Sequence, residues 1–524
     1  MRTLALLDRL AARAAERPDA PAVANDDGRP VDRATLVRRV RALARGLVAA
    51  GLAPGDRVLF AVRPSVEAIV AILAVVEAGG VLVAAEVGTG SALFAARMAL
   101  VRPRWVIGES LLLAAAGSRV ARAIARRRGV DLPSLDALRE ARLVRVGPWL
   151  PGMRGARAAT AIERAGVEAP HVALPAARED APAFVVFTSG TTAAPRAVVH
   201  TQRSLRATLD VVGASLAVAD GDVLYAGELH LALPALLAGA RVVVPPRGAL
   251  DPAATIRALA AHGATHTFLV PADAQRVADH LAARGAACPS TLRHLLLGAA
   301  PVEVPLLRRL RAVLPPSATA WAIYGMTEIL PVATVSIDEK LAWTGEGDLL
   351  GAPVPGIEAR VADDGELLLR GPQLCAGYLG EPEMTEHATG DVVRVDEHGR
   401  LVLLGRAKDM IIRGHHNVYP ALHEPVVARI PGVRRCAMVG VRDDRASDER
   451  IVLVVEPDAG TDAAALARAL PAALRAEATR IDDAALPDRI LVMALPEVGR
   501  SRKIDRAALR ALAGRALRET AERA

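Results

Sequence analysis

Segments with helical periodicity alternate with short apolar runs in this chain, and this alternation constrains the fold more than any other feature. In the first part, amphipathic segments at 4–15, 35–49 and 65–78 alternate with apolar runs at 58–60 and 81–87. A helix between two strands is the usual crossover connection of a parallel sheet. The pattern therefore predicts an α/β fold with a doubly wound sheet.

The alternation resumes at residue 183 and predicts a second doubly wound sheet. Its expected strands and helices lie at 223–225, 231–238, 241–244, 256–261, 267–270 and 292–297. From residue 351 the pattern changes to short alternating strands with Gly and Pro between them, which favours a small β-barrel or meander. A chain of 524 residues has room for two to four domains with separate cores.

Composition and charge exclude some classes of function. The chain is 52% apolar and 23% charged, which is typical of a globular protein. Its net charge of +7 comes from scattered basic residues, so we expect no nucleic-acid surface. The longest apolar stretch, 68–76, is too short to cross a bilayer, so we expect no transmembrane segment. Three distant cysteines without metal-site spacing favour a reduced, cytoplasmic protein.

A phosphate-binding loop is predicted after the apolar run at 184–187. Five small polar residues follow this run: Thr188, Ser189, Gly190, Thr191 and Thr192. Hydroxyls and backbone N–H groups on a short turn can donate to phosphate oxygens, and Arg196 adds a cation. The segment lacks the second Gly and the Lys of a Walker loop. A polar surface loop is the alternative interpretation.

The loop resembles, residue by residue, the signature of the AMP-forming acyl- and aryl-CoA synthetases, relatives of luciferases and of the adenylation domains of peptide synthetases. That family usually has Gly at positions 193 and 197 and Lys at position 196, where this chain has Ala193, Ala197 and Arg196. The resemblance implies a ligase that uses ATP, Mg²⁺ and CoA on a small carboxylic acid. It also implies that the five loop residues bind the β- and γ-phosphates, with Arg196 assisting.

Two later segments resemble the adenine-binding segments of the same family: Gly298-Ala299-Ala300-Pro301 and Tyr324-Gly325-Met326-Thr327-Glu328. A turn of small residues lets a base lie against the backbone, and a tyrosine ring can stack on the base. By resemblance, Thr327 contacts phosphate and Glu328 holds magnesium, since a carboxylate beside a triphosphate needs a metal between them. A turn capped by Thr and Glu is the alternative for the second segment.

Ribose binding and the domain boundary are predicted from two more resemblances. The triplet Thr389-Gly390-Asp391 matches the ribose-binding triplet of the family, although an Asx turn also explains it. Arg406 corresponds to a ribose-contacting residue and Lys408 to the hinge of a mobile C-terminal domain. We therefore expect an N-terminal ATP- and acyl-binding domain at 1–405, a hinge at 406–408 and a small α+β domain at 409–524 that carries the catalytic lysine.

The scarcity of lysine gives independent weight to this assignment. Of 65 basic residues only Lys340, Lys408 and Lys503 are lysine. An ammonium group approaches a reacting oxygen as a point charge, whereas a guanidinium prefers bidentate contacts. Lys503 lies in a segment that resembles the catalytic-lysine loop of the family, with one extra residue and with Arg502 in place of Gly. The resemblance implies that Lys503 contacts the substrate carboxylate and the α-phosphate.

The identity of the acid and of the acceptor is less constrained. His230 matches a histidine that gates the acyl pocket of CoA ligases, and with Leu231 and nearby leucines it favours an aliphatic, fatty-acid-like substrate. A packed core histidine is the alternative. His415 replaces a family glycine beside the pantetheine path, so a carrier protein, an amine or an internal hydroxyl remains an alternative to CoA.

Three further alternatives stay open at the level of sequence. Gly88-Thr89-Gly90, followed by Glu109, resembles an incomplete dinucleotide fingerprint, although Leu93 replaces its third glycine and a connecting loop is the better account. His415 and His416 form an adjacent pair that is more typical of a surface loop than of a metal site. The departures from the family signature also allow a non-catalytic nucleotide-binding relative.

Overall fold

The computed structural model describes residues 6–84, 91–127, 132, 134–153, 155–187, 195–246, 248, 250–413, 416–443, 448–498 and 502–521. Within these residues the α-helices are α1 Leu6–Glu16, α2 Arg33–Ala49, α3 Val66–Glu77, α4 Ser91–Val101, α5 Ser110–Gly117, α6 Arg119–Arg127, α7 Ala159–Glu168, α8 Gln202–Leu216, α9 Leu229–Ala238, α10 Pro252–His262, α11 Pro271–Ala282, α12 Val304–Val313, α13 Ile337–Ala342, α14 Pro420–Val427, α15 Ala463–Ala473 and α16 Arg506–Ala521.

The strands of the N-terminal part are β1 Pro21–Asn25, β2 Val31–Asp32, β3 Arg57–Ala61, β4 Val81–Ala84, β5 Trp105–Glu109, β6 Arg142–Val146, β7 Arg157–Ala158, β8 Pro182–Phe187, β9 Ala197–Thr201, β10 Val223–Tyr225, β11 Arg241–Val244, β12 His266–Leu269, β13 His294–Leu297, β14 Thr319–Met326, β15 Ile329–Ser336, β16 Asp348–Pro353, β17 Glu358–Val361, β18 Glu366–Arg370, β19 Gly377–Tyr378, β20 His387–Val395 and β21 Leu401–Arg406. The C-terminal strands are β22 Ile411–Arg413, β23 His416–Val418, β24 Val433–Asp443, β25 Asp448–Pro457, β26 Arg489–Val492, β27 Glu497–Val498 and β28 Lys503–Ile504.

The first sheet has eight strands in the order β19-β9-β8-β4-β3-β5-β6-β7. The strands from β8 to β7 in this order are parallel, and β9 and β19 add antiparallel strands at one edge. Helix α3 lies almost fully buried against the sheet, which explains its nearly continuous apolar sequence. This doubly wound sheet confirms the prediction from the first alternating segments.

Two glycines let α2 and α7 pack with their backbones almost in contact. A Cβ atom at Gly166 would lie 1.8 Å from the carbonyl oxygen of Ala42, and one at Gly46 would lie 2.0 Å from that of Ile162. No side chain fits at such distances, so the close approach of these two helices depends on both glycines.

The second sheet has thirteen strands in the order β17-β18-β20-β21-β16-β15-β14-β13-β12-β10-β11-β1-β2. The strands from β14 to β1 in this order are parallel, as the second alternating segment predicts. The predicted barrel or meander is an antiparallel meander that continues the same sheet from β15 onwards and packs on its own apolar cluster.

A smaller α+β unit follows β21. Its strands β24, β25 and β26 form a sheet, and α14, α15 and α16 pack on it. Two apolar clusters contain only residues from 411 onwards, whereas the other clusters contain only residues up to 402. The fold class, a large sheet-rich N-terminal part with a smaller C-terminal part, is thus confirmed; the bounds 405 and 409 and the hinge role stay predictions. Among the described residues, no helix has the length and apolar character needed to span a bilayer.

Candidate active site

The predicted adenine-binding segments lie side by side at one edge of the second sheet. Gly298 directly follows β13, and Tyr324 and Gly325 lie near the end of the neighbouring strand β14. A Cβ atom at Gly298 would lie 3.4 Å from Cε2 of Phe268 and 3.6 Å from the carbonyl oxygen of Ile323. The next residue, Ala299, has a φ of 67°, in the left-handed region that side chains disfavour. Ligands of open α/β sheets bind at such strand ends.

Asp391 is the centre of the described site. Its side chain is 1% exposed, and the hydroxyl of Tyr324 donates to its Oδ2 at 2.6 Å. Nε of Arg406, which lies opposite Asp391 on β21, is 2.7 Å from Oδ1. Burial raises the pKa of the Asp391 carboxyl, and the charge of Arg406 opposes this rise. The sequence thus brings a tyrosine, an aspartate and an arginine together from three predicted segments.

The Asp391 carboxylate retains capacity for a ligand. Although Arg406 is close, Oδ1 is buried and accepts no well-aligned hydrogen bond. The backbone is fixed around it, because Gly390 N–H donates to Glu366 Oε1 at 2.7 Å and Asp391 N–H donates to Thr389 Oγ1 at 3.0 Å. A carboxylate oxygen whose close guanidinium partner is poorly aligned can still accept from the hydroxyl of a sugar. The residues present therefore fit a nucleoside.

Glu328 is the candidate metal ligand. Glu328 is 8% exposed, and the hydroxyl of Tyr378 donates to its Oε1 at 2.7 Å. Oε2 accepts no hydrogen bond from any residue in the described ranges, which also contain no group of three metal-binding side chains. Mg²⁺ usually takes one or two carboxylates and completes its shell with phosphates and water. A single carboxylate with one oxygen available fits this pattern.

Thr327 is held through its backbone by a residue that sequence reasoning missed. His200 on β9 approaches the carbonyl oxygen of Thr327 with Nε2 at 2.8 Å. Burial lowers the pKa of His200, which favours a neutral ring whose Nε2–H donates to this carbonyl. The contact joins strand β9 to the Thr327-Glu328 turn. The sequence around His200 does not indicate this contact, because the two residues are more than a hundred positions apart in the chain.

The structure places Lys503 close to the same site. Lys503 lies on the β27–β28 hairpin. Burial lowers the pKa of its ammonium, and the charges of Arg406 and Lys408 lower it further. Lys503 pairs with no carboxylate in the part of the chain that the structure describes. Lys503 and Lys408 thus lie near Arg406, which pairs with Asp391, and the excess of positive charge favours an anion at this place.

Lys340, which lies outside the motifs, has a structural role. Lys340 is 3% exposed, and its Nζ lies 2.7 Å from Oδ1 of Asp348. A compact ammonium suits this buried pair. Arg502, which replaces a family glycine, has a φ of 49°, so its backbone adopts a conformation that favours glycine.

The predicted acyl pocket lies next to the adenine turn. The His230 ring meets Phe268 edge to face, with centroids 6.2 Å apart, and Phe268 in turn faces Gly298. His230 is exposed to solvent and is therefore not a packed core histidine, and the protein groups around its ring lower its pKa by desolvation. The imidazole is therefore neutral at pH 7. Leu231 is 1% exposed and packs in the main core, so its contact with a substrate stays a prediction.

Of the remaining predicted residues, some lie outside the described ranges and some lie within them. The five residues Thr188, Ser189, Gly190, Thr191 and Thr192 lie outside the described residues, as do His415 and Gly88 to Gly90. Lys408 lies in the short 3-10 helix Ala407–Asp409 between β21 and β22, and its carbonyl faces Arg510. Glu109 accepts from Nε of Arg63 at 2.9 Å, so its carboxylate is engaged within the protein. Ala300 and Pro301 continue the turn after β13.

The chain is similar to known adenylate-forming proteins. A family model described as AMP-binding enzyme matches residues 10–379. A propanoyl:CoA ligase of Mycobacterium tuberculosis, whose named acid carries a methyl-dioxo-octahydroindenyl group, is 33% identical over 493 residues, 88% of this chain and 90% of the relative. Feruloyl-CoA synthase of an Amycolatopsis species is 31% identical over 478 residues, 85% of this chain and 87% of the relative. ATP-bound MatB of Rhodopseudomonas palustris shares the fold with a TM-score of 0.78 at 24% identity, covering 97% of this chain and 99% of that one.

Proposed function

This chain belongs to the AMP-binding enzyme family, and on that premise we propose that it joins a small carboxylic acid to CoA through an acyl adenylate. The observation that carries the proposal is the convergence of the Asp391–Arg406 pair with Lys503 at the edge of the second sheet. The buried Asp391 carboxylate fits the hydroxyls of a ribose, and the proposed role of the neighbouring Lys503 ammonium is to contact the α-phosphate. The proposed roles of the remaining site residues follow from this arrangement.

The first half-reaction forms the adenylate. A carboxylate oxygen of the acid attacks the α-phosphorus of ATP, the bond from this phosphorus to the bridging oxygen breaks, and pyrophosphate leaves with the electron pair. Both reactants are anions, so their approach needs positive charge on the protein. We assign this task to Lys503, supported by Arg406, while the predicted donors Thr188, Ser189, Gly190, Thr191 and Thr192 hold the leaving phosphates.

Mg²⁺ fits beside Glu328 and, when bound, neutralises charge on the phosphates. The protein's own contribution is to hold this carboxylate in place. Tyr378 donates to one of its oxygens, and His200 fixes the carbonyl of the preceding residue, Thr327. Both contacts limit the turn to one orientation. Thr327 is proposed to contact the α-phosphate.

The second half-reaction transfers the acyl group to the thiol of CoA. The thiol sulfur attacks the carbonyl carbon, the thiol loses its proton, and the bond from carbon to the AMP oxygen breaks. Lys503 must leave the site for a thiol to enter, and we propose that residues 406–408 supply the rotation, with Lys408 as the hinge. The separate apolar clusters on either side of these residues support a rigid-body movement.

The acid is proposed to be apolar near its carboxylate. The neutral His230 ring and the Phe268 ring line the region beside Gly298, and neither offers a charge to a polar substrate. The sequence favours a fatty acid, although most leucines of α9 pack in the main apolar cluster, and the names of the two relatives describe acids that carry rings. Because Phe268 provides an aromatic edge, ring-containing acids belong in the same substrate panel as fatty acids.

Pyrophosphate release tests the proposal. The purified chain is incubated with ATP and Mg²⁺ and a panel of fatty, aryl and amino acids, with and without CoA, and the products are identified by mass. The proposal predicts pyrophosphate release with one class of acid and acyl-CoA formation only when CoA is present. An adenylate that accumulates despite CoA would overturn the assignment of the acceptor and favour a carrier protein. ATP binding without release for any acid would favour a non-catalytic relative.

A further inference from the structure

Arg196 departs from the family signature, and its guanidinium lies flat against an aromatic ring. Its Cζ is 3.6 Å from the centroid of the Tyr378 ring, a short cation–π distance. Its Nη2 donates to Glu381 Oε2 at 3.0 Å, on the same side of the site. The side chain is half exposed, so it is held by these two contacts and not by burial.

The other end of the Tyr378 ring reaches the predicted metal ligand. The Tyr378 hydroxyl donates to Glu328 Oε1 at 2.7 Å. A phenol carries its proton at neutral pH and donates it to a carboxylate at this distance. The proton therefore points at Oε1, and Oε2 is the oxygen left for a cation.

Backbone pairing aligns the members of this arrangement. Strand β19 lies antiparallel to β9, with Tyr378 opposite Val198, only two residues beyond Arg196. Gly377 has a φ of 126°, and a Cβ atom there would lie 2.9 Å from the carbonyl oxygen of Pro382. The turn between Tyr378 and Glu381 therefore depends on a glycine at position 377. The strand pairing places the ring between Arg196 and Glu328.

We propose that Arg196, Tyr378 and Glu381 form a clamp that orients Glu328 for the metal–phosphate complex. Tyr378 is then a positioning residue, and Arg196 acts through the Tyr378 ring as well as by its charge. The inference rests on the proposed function, because it takes Glu328 as the metal ligand. It explains the departure at position 196, since a planar guanidinium stacks on a ring and pairs with a carboxylate at once, which an ammonium does less well.

The clamp makes an unusual prediction about Arg196→Lys, which restores the residue that the family usually has. If Arg196 served only as a phosphate cation, lysine would serve equally well. If the clamp operates, lysine loses the stack and the Mg²⁺ concentration for half-maximal ATP binding rises about threefold. Tyr378→Phe removes the charge-assisted hydrogen bond to Glu328 and raises the same concentration about tenfold.

Calorimetric titration of ATP at several Mg²⁺ concentrations tests the clamp without any acid or turnover. AMP titrated in the presence of EDTA reports the nucleoside site alone and should bind each variant within about twofold of the wild type. Arg394→Lys is the matched control, because the Arg394 guanidinium also faces a ring, that of Trp343 at 5.5 Å, and this pair is not part of the clamp. Glu381→Gln provides a second route, since it removes the ion pair and keeps the Tyr378 ring and the Arg196 cation.

A double variant separates the clamp from two independent contacts. Because Arg196 acts through Tyr378, the clamp predicts that Arg196→Lys with Tyr378→Phe is no worse than Tyr378→Phe alone within about twofold. The clamp would be refuted if the effects of the two substitutions on the Mg²⁺ requirement multiply, or if Tyr378→Phe leaves this requirement unchanged. In either case, ATP binding by the wild type would leave the proposed function intact. If the wild type binds neither ATP with Mg²⁺ nor AMP, the proposed function fails, and the clamp fails with it.

Discussion

Replacing Asp391 by Asn is the sharpest single perturbation of the proposed nucleotide site. The carboxylate is 1% exposed, lies 2.7 Å from Arg406 Nε and accepts from Tyr324 at 2.6 Å. The amide keeps the shape of the side chain but removes the charge, and one of its two ends becomes a donor. The ribose hydroxyls that donate to the Asp391 carboxylate then lose a charged acceptor.

The magnitude follows from the contacts. A hydrogen bond to a charged group contributes about 1.5–3 kcal/mol. Loss of about 2 kcal/mol corresponds to about thirtyfold weaker AMP binding. The effect on the free energy of unfolding should be smaller, within about 1 kcal/mol, because burial disfavours the Asp391 charge and the Arg406 side chain is 47% exposed to water. The Tyr324 hydroxyl can still donate to the amide oxygen.

Calorimetry with two ligands isolates the ribose contact. Asp391→Asn should bind AMP about thirtyfold more weakly in EDTA, whereas pyrophosphate with Mg²⁺, which has no ribose, should bind within about twofold of the wild type. Asp396→Asn is the matched control, because Asp396 also pairs with an arginine, Arg400 at 2.8 Å, at the far end of the same hairpin. AMP affinity within twofold of the wild type in a folded Asp391→Asn protein would refute the reasoning.

Three further predictions concern the lysines and the pH. Lys503→Ala should lower pyrophosphate release at least about a hundredfold and leave thioester formation from a preformed adenylate usable; equal loss of both steps would contradict the assignment. Lys408→Pro should impair thioester formation more than adenylation, measured as separate half-reactions, because it restricts the proposed hinge. Burial, reinforced by the neighbouring His294, lowers the pKa of His266 to about 4, so its stabilising contribution is complete above pH 6.5 and is lost as the pH falls towards 4. Urea unfolding at pH 7 and pH 5 should show a loss of about 2 kcal/mol in the free energy of unfolding, and an unchanged midpoint would count against it.

The sequence was most informative where the relevant interactions are local. Strands such as β3 and β13 follow from short apolar runs, and α2 follows from its helical periodicity. The segment from 111 to 180 was poor in signals, and there the structure adds β6, β7 and α7. Strands β6 and β7 are short and half exposed, so they lack a clear apolar pattern.

Pairing partners could not be predicted from local patterns. The alternation after residue 351 predicted antiparallel strands, but it did not show that they continue the second sheet through β15 and β16. Strand β1, near the N-terminus, joins the same sheet beside β11. Such pairings depend on contacts between residues far apart in the chain, which periodicity does not encode.

The same limit applies to the candidate site. Asp391 and Arg406 came from resemblance, and the structure brings them to 2.7 Å. His200 and Tyr378 were missed, because each acts on Glu328 or its neighbour from more than forty residues away. Their own surroundings in the sequence look like ordinary strands.

Oxygen labelling tests the central claim, activation of the acid through its adenylate, most directly. With the acid found in the panel labelled in both carboxylate oxygens with ¹⁸O, the reaction with ATP and CoA is followed by mass spectrometry of all products. The account predicts one labelled oxygen in AMP and none in pyrophosphate, because the carboxylate oxygen that attacks the α-phosphorus stays with AMP. Label in orthophosphate together with ADP, or AMP free of label while acyl-CoA forms, would contradict it.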